Sequence, residues 1–409
     1  MSTSINQATV EEAVAASDTL MRASLGTVPG SYRPKGLILT KDQIVDLHRY
    51  EKKALNLPTE ISKVIAYLGY SGSQDIGKGL RPEDFRECFT TVRNHALRWN
   101  PIKQRVKDVS GELKVFAHSM ITYGGSIEAI LGDIKGSQTL RAHGINTLED
   151  LKRVKVELGD KFPDIGFDED DTEAAKDFSE IIDRIIAKVA QHQQRTEELK
   201  IDLESYGNDL SYIVRPAIAL QLTAIEGTTA NYEIEKLQKE IDSLNKQIDE
   251  QNEAYKKTVK SSLESVGGLN IVGLGMAIYF GVEAEKIRKE RNALKVKRDQ
   301  KNNAMYELNR IRGRLAFIEA DLQDLQALTV EADCATKNLI TVWNKLHTYV
   351  LQSKEESMAI TDAMRASTFA FHFKQVIAPW ELVAQEADQL LGVFGEADDI
   401  IRLDTINSY

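Results

Sequence analysis

Cysteine is nearly absent: Cys88 and Cys334 are the only two in 409 residues, too few for a disulfide framework. One bridge between them stays open, with two free buried thiols the favoured reading. Proline is scarce, and none falls between Pro216 and Pro379, so uninterrupted helix is permitted over that whole stretch. The seven histidines show no HExxH and no metal-ligand spacing. The segment GGLNIVGLG (267–275) lacks the Lys-Ser/Thr ending of a phosphate loop and follows no predicted strand. The acidic run DEDD (168–171) lacks the Gly and Glu of a calcium loop, so a helix start explains it more simply. No catalytic, cofactor or metal site is therefore expected, and the protein does not read as an enzyme. Excess positive charge is missing too: the net charge of −10 argues against general nucleic-acid binding. The N-terminus MSTSINQATVEEAVAASDTL has neither a basic n-region nor an apolar h-region, so a Sec-type signal is not expected.

What is present is helical periodicity. Residues 1–40 are small and polar and read as an N-terminal arm with a short helix at most. Residues 41–56 have helical spacing, and Pro82 with Glu83 and Asp84 starts a long helical segment running to about Leu131, kinked near Pro101. A short helix is expected over 147–158. From there Ile182, Ile185, Val189, His192, Thr196, Leu199, Leu203, Tyr206, Leu210 and Ile213 alternate three and four residues apart, a seam that packs one long helix along another. His192, at a core position, reads as a packed residue rather than a ligand. Trp99, Trp343 and Trp380 read as core anchors.

Ile234, Leu237, Ile241, Leu244 and Ile248 form a second seam, extended by Tyr255 and Val259. A third starts at Ile287 and passes Leu294, Leu308, Ile311, Leu315, Ile318, Leu322 and Leu325 to Leu339, Trp343, Leu346 and Val350. Read as one helix, Ile287 to Val350 would span roughly 95 Å at about 1.5 Å per residue. The expected fold is all-α: an elongated, rod-like helical bundle with a long coiled-coil hairpin ending in a hydrophobic, membrane-active head. Its expected parts are the arm (1–40), a tail bundle (41–230 and 300–409), a neck (231–263 and 283–299) and a tip (264–282).

Between Glu264 and Glu283 lies the one long run without charge, SVGGLNIVGLGMAIYFGV. It is marginal for a single helical pass, which needs about 20 apolar residues. Gly267, Gly268, Gly273, Gly275 and Gly281 mark it as a hinge-rich segment that bends or changes conformation, and Gly273, Ala277 and Gly281 form a small-residue stripe. Val266, Leu269, Ile271, Val272, Leu274, Met276, Ile278, Tyr279, Phe280 and Val282 are the candidate membrane-binding side chains. Lys256, Lys257 and Lys260 before the run, and Lys286, Arg288, Lys289 and Arg291 after it, are candidates for lipid headgroups. Lys295, Lys297, Arg298 and Lys301 continue this basic collar. Three readings compete: a buried turn of a bundle, a permanent single-pass anchor, and a tip sheltered in the soluble form and released at a membrane. The long heptads on both flanks fit the third.

On these residues, SLESVGGLNIVGLGMAIYFGVEAEKIRKERN (262–292) with its heptad arms, the chain resembles the cytolysin A-type α-pore-forming toxins, and within them the A component of xenorhabdolysin-type binary toxins. That resemblance implies a five-helix tail bundle and a head carried to the membrane by two long helices. It implies partners as well: a target-cell lipid membrane and a second toxin subunit, a B component, in a hetero-oligomeric ring. It implies a secreted protein that ends at the host membrane. The short, glycine-broken tip departs from a full membrane hairpin and points to shallow insertion with a partner supplying the pore. The rival reading is an intracellular coiled-coil scaffold whose tip is a hydrophobic partner-binding loop.

Overall fold

The computed structural model describes residues 7–27, 34–69, 79–158, 166–226, 232–266 and 282–406. These form helices, and among them there is no strand beyond one isolated bridge between Gly166 and Asp362. In chain order the helices are α1 (Gln7–Leu25), α2 (Lys41–Leu55), α3 (Ile61–Leu68), α4 (Pro82–Leu97), α5 (Trp99–Asp133), α6 (Lys135–Ala142) and α7 (Leu148–Leu158). There follow α8 (Glu169–Asp209), α9 (Arg215–Glu226), α10 (Tyr232–Val266), α11 (Val282–Leu308), α12 (Arg310–Met358) and α13 (Ala363–Ile406).

Helix starts follow the local chemistry. Thr40 and Gln43 form a reciprocal capping box at α2. Pro82 opens α4 where its missing N–H costs nothing, and the Asp84 carboxylate accepts from the Arg81 and Gly79 amides at 3.1 and 3.0 Å. The DEDD run starts two helices. Asp168 caps α8 by accepting from the Asp171 amide at 2.8 Å, and buried Asp171 caps α6 by accepting from the Lys135 amide at 2.9 Å.

Helices α1, α5, α8, α12 and α13 pack around one core. At its centre Phe116 meets Trp343 and Trp380 edge-on at 5.0 and 4.8 Å, and His192 stacks on Trp343 at 5.2 Å. Thr196 is tolerated there because its hydroxyl donates to the His192 carbonyl and accepts from the Trp343 indole at 3.1 Å. Cys88 and Cys334 are both buried and are not joined in a disulfide, and burial pushes the Cys88 thiol up to about 12.

Burial pushes His192 down to about 4 and does the same to His95. Both are neutral near pH 7, whereas in the unfolded chain each would take a proton near pH 6.5. The native state therefore loses stability as pH falls from about 6.5 to about 4, by up to ~3 kcal/mol for each histidine. His192→Phe keeps the ring between Phe116 and Trp343 and removes the titration. A flatter Tm between pH 6.5 and 4.5, measured by circular dichroism, is the expected outcome; an unchanged slope would place the acid sensitivity elsewhere.

Several expectations are corrected. The N-terminal residues are not a loose arm: α1 buries Val10, Ala13, Ala16, Leu20 and Met21 against α12 and α13, and Leu37, Ile38 and Leu39 are buried as well. The α8 seam holds through Leu210 and then fails at Ile213, which is 52% exposed, while Val214 is buried. Pro216 has no N–H to continue the ladder, and Leu210–Val214 forms a π turn in which the Arg215 amide reaches the Leu210 carbonyl. One extra residue in the turn rotates the next position inward. The segment expected to kink near Pro101 breaks at Arg98 instead, which leaves Pro101 in the first turn of α5.

The largest correction concerns the third seam. It is not one rod from Ile287 to Val350, because α11 and α12 are separate helices joined at Asn309. Asn309 takes an extended conformation (φ −147°, ψ 100°), and its side chain caps α12 by accepting from the Arg312 amide at 3.1 Å. There the chain turns back on itself.

Candidate functional site

The candidate tip residues 267–281 lie outside the described residues, and with them Leu269, Ile271, Val272, Leu274, Met276, Ile278, Tyr279, Phe280 and the five hinge glycines. Val266 ends α10 and Val282 begins α11. The mount that carries the tip is therefore the α10–α11 hairpin, 232–266 with 282–308. Its base lies at Leu308 rather than near 299. Among the described residues no helix is long and apolar enough to cross a membrane.

The two hairpin helices run antiparallel, with Lys301 bound to Glu240 at 2.6 Å and Gln251 to Glu290 at 3.4 Å. Ile234, Ile241 and Met305 form a small core of their own, with Leu237 against it and Ile248 and Tyr255 buried further along. This cluster is separate from the core of the body.

The hairpin lies back along α12. Pairing fixes the directions: α10 is parallel to α12 through Gln238–Arg312 (2.9 Å) and Asn245–Gln323 (2.7 Å). Helix α11 is antiparallel to α12 through Asn302–Ala316 (3.4 Å) and Arg298–Asp324 (3.1 Å). Near the tip end, Arg291 reaches Asn252 at 3.4 Å and Glu331 at 4.0 Å. The tip-bearing end thus points along the body.

The collar splits in two on this geometry. Lys256, Lys257, Lys286 and Lys289 are exposed, and Arg288 is partly so. Lys260 lies in α10, with its side chain outside the described residues. Arg291 faces inward, 7% exposed, with its guanidinium 5.8 Å from the Tyr255 ring centre. Arg298 is 1% exposed and binds Asp324, Asp299 and Gln323, and Lys295 meets Asp324 at 3.2 Å. As folded here, Arg291 is a contact to the body and not a surface for lipid phosphate.

Sequence reading missed this buried polar layer altogether. Arg215 on α9 ties in Glu319 at 2.8 Å, Asp249 at 3.2 Å and Gln326 at 2.6 Å. Burial raises the Glu319 carboxyl although Arg215 pulls it down, and burial raises Asp321 to about 6 against the opposing pull of Lys53, 2.8 Å away. The available signal was spacing: Arg291, Arg298 and Met305 are seven apart, a seam position occupied by charge.

No family model and no curated relative matches the chain. Solved structures do. YaxA from Yersinia enterocolitica is 27% identical and covers 89% of this chain and 99% of its own, with a TM-score of 0.48. A chain of the XaxAB pore complex from Xenorhabdus nematophila is 23% identical and covers 90% of this chain and 100% of its own, with a TM-score of 0.43. Soluble SmhA, of the tripartite α-pore forming toxin Smh from Serratia marcescens, is 13% identical and covers 97% and 96%, with a TM-score of 0.50. The chain thus has the all-α fold of SmhA, and its structural neighbours include YaxA and the XaxAB pore chain.

Proposed function

We propose that this chain is a non-enzymatic component of a two-part α-pore-forming cytotoxin. It is released in soluble form, docks on a target-cell membrane through its 264–282 tip and assembles there with a second subunit into a lytic ring. The observation that carries this reading is the eighteen-residue charge-free run between Glu264 and Glu283, which closes a two-helix hairpin on an otherwise acidic chain. A fold shared with a toxin component supports it. Exposed Lys256, Lys257, Lys286 and Lys289 flank the run on both helices, where each cation near an anionic surface contributes about 1 kcal/mol. The run is short for a spanning segment, so the reading assigns this chain to docking and shallow insertion, and the pore wall to the partner.

The test is release of dye from loaded vesicles, or of haemoglobin from erythrocytes, by the purified chain alone and together with a second long-helical protein bearing its own apolar hairpin. Release only by the pair is the expected result. If neither the chain nor the pair releases dye, and the chain does not bind vesicles, the scaffold reading takes its place.

A further inference from the structure

We propose that the chain binds a small monocarboxylic acid with a flat ring body, in a cavity walled by Tyr67, Tyr306 and Phe317 and centred on Arg314. The site lies where the end of α11 meets α2, α3 and the first turns of α12, at the end of the hairpin opposite the candidate tip. It rests on no part of the function proposed above.

Local structure makes the cavity. The extended residue Asn309 reverses the chain, so Tyr306 before it and Arg314 and Phe317 after it come to one place. Gly313 lets the two helices close up there. A Cβ at that position would lie 2.7 Å from Tyr306 Cβ and 2.8 Å from Tyr306 N, too close for any side chain. The Tyr306 and Phe317 rings stand 6.4 Å apart, with their planes at 57°. Leu57 and Ile318, 5% and 4% exposed, supply the apolar lining, and Tyr67 on α3 supplies the third aromatic wall. The volume is about 660 Å³, inside the range of about 300–1,000 Å³ usual for small-molecule sites.

The charge of the lining names the ligand's polar group. Two cations line the cavity, Lys53 and Arg314, and no carboxylate does. Lys53 is already compensated: its ammonium binds both oxygens of Asp321, at 2.8 and 3.0 Å, and sits 5.7 Å from the Phe317 ring centre. Arg314 is not. Its guanidinium lies 4.6 Å from the Tyr67 ring centre, and its polar neighbours are the Tyr67 and Tyr306 phenols. No carboxylate among the described residues pairs with it. A half-buried guanidinium without a counter-ion offers a fork of donors that matches a carboxylate. One uncompensated positive charge fits one negative charge, so a cation or a phosphate dianion finds no match here. The walls name the rest. Flat rings pack offset or edge-on against aromatic side chains, and a rigid ring loses less freedom on binding than a flexible chain does.

Calorimetric titration of the full chain near neutral pH tests the site, with naphthoate as the probe. Two controls accompany it: naphthamide, which has the same shape without the charge, and decanoate, which carries the charge on a chain. Naphthoate should saturate one site per chain and bind more tightly than decanoate. Its advantage over naphthamide should be at least about tenfold, the low end for hydrogen bonds to a charged group. Arg314→Met should abolish that advantage, and Arg314→Lys, which keeps the charge and loses the fork, should fall between. Ile271→Asp with Ile278→Asp should leave binding unchanged, which separates the cavity from adsorption at the apolar tip. Circular dichroism checks that each variant keeps its helix content. Equal affinities for naphthoate and naphthamide in the unsubstituted chain overturn the charge match, whether or not the variants fold. Absence of saturable binding at millimolar naphthoate overturns the site. Binding that survives Arg314→Met in full, or that disappears with the tip substitutions, overturns its location. Decanoate bound as tightly as naphthoate overturns selection for a ring.

Discussion

The chain carrying Ile271→Asp and Ile278→Asp should no longer float with anionic vesicles, while its helical content and Tm remain those of the unsubstituted protein. Burying a large aliphatic side chain contributes about 1.5–3 kcal/mol, so removing two forfeits roughly 3–6 kcal/mol. The new carboxylates also face anionic headgroups, which adds repulsion. At 1.4 kcal/mol per decade the partition coefficient should fall at least about 100-fold. Helical content and Tm are measured alongside as the control that the substitutions have not unfolded the body. Flotation that survives both substitutions would sink the proposed role of the tip. Flotation lost together with Tm would mean that the two isoleucines hold the fold.

How much of this could be read beforehand depended on whether the deciding interaction was local. Helix starts were legible because a cap is settled within four residues, as at Thr40, Pro82 and Asp168. The seam of α8 was legible because its ten positions test one period repeatedly, and it failed only at Ile213, where a π turn adds a residue. A short helix was expected at the N-terminus, but the length and packing of α1 were not, because much of its buried face is Ala13, Ala16, Ser17 and Ala23, residues that allow close packing and carry almost no hydropathy signal. Periodicity was blind at Asn309 for a different reason. A heptad pattern says which side of a helix is buried and nothing about whether the next helix continues or doubles back. The same limit applies to the collar: counting cations near the tip could not separate Lys286 and Lys289, which face water, from Arg291 and Arg298, which face α12.

Trp343→Ala should be the most damaging single substitution in the body and should leave the hairpin's own packing intact. Trp343 is 2% exposed, stacks on His192 and on Trp380 at 5.9 Å, and meets Phe116 edge-on. Truncating a buried aromatic to Ala costs about 3–5 kcal/mol, and here Thr196 also loses the indole donor. With unfolding entropy of about 2.1 cal/mol/K per residue, a cooperative chain of this length should lose roughly 4–6 °C of Tm. Trp343→Phe keeps most of the stacking and should cost far less, which separates the packing loss from the lost hydrogen bond. Amide hydrogen exchange tells where the loss falls. The cluster of Ile234, Ile241 and Met305 is not part of the body's core, so protection in α10 and α11 should change little while α8 and α12 lose protection. Equal loss in the hairpin would show that it is built into one cooperative core with the body.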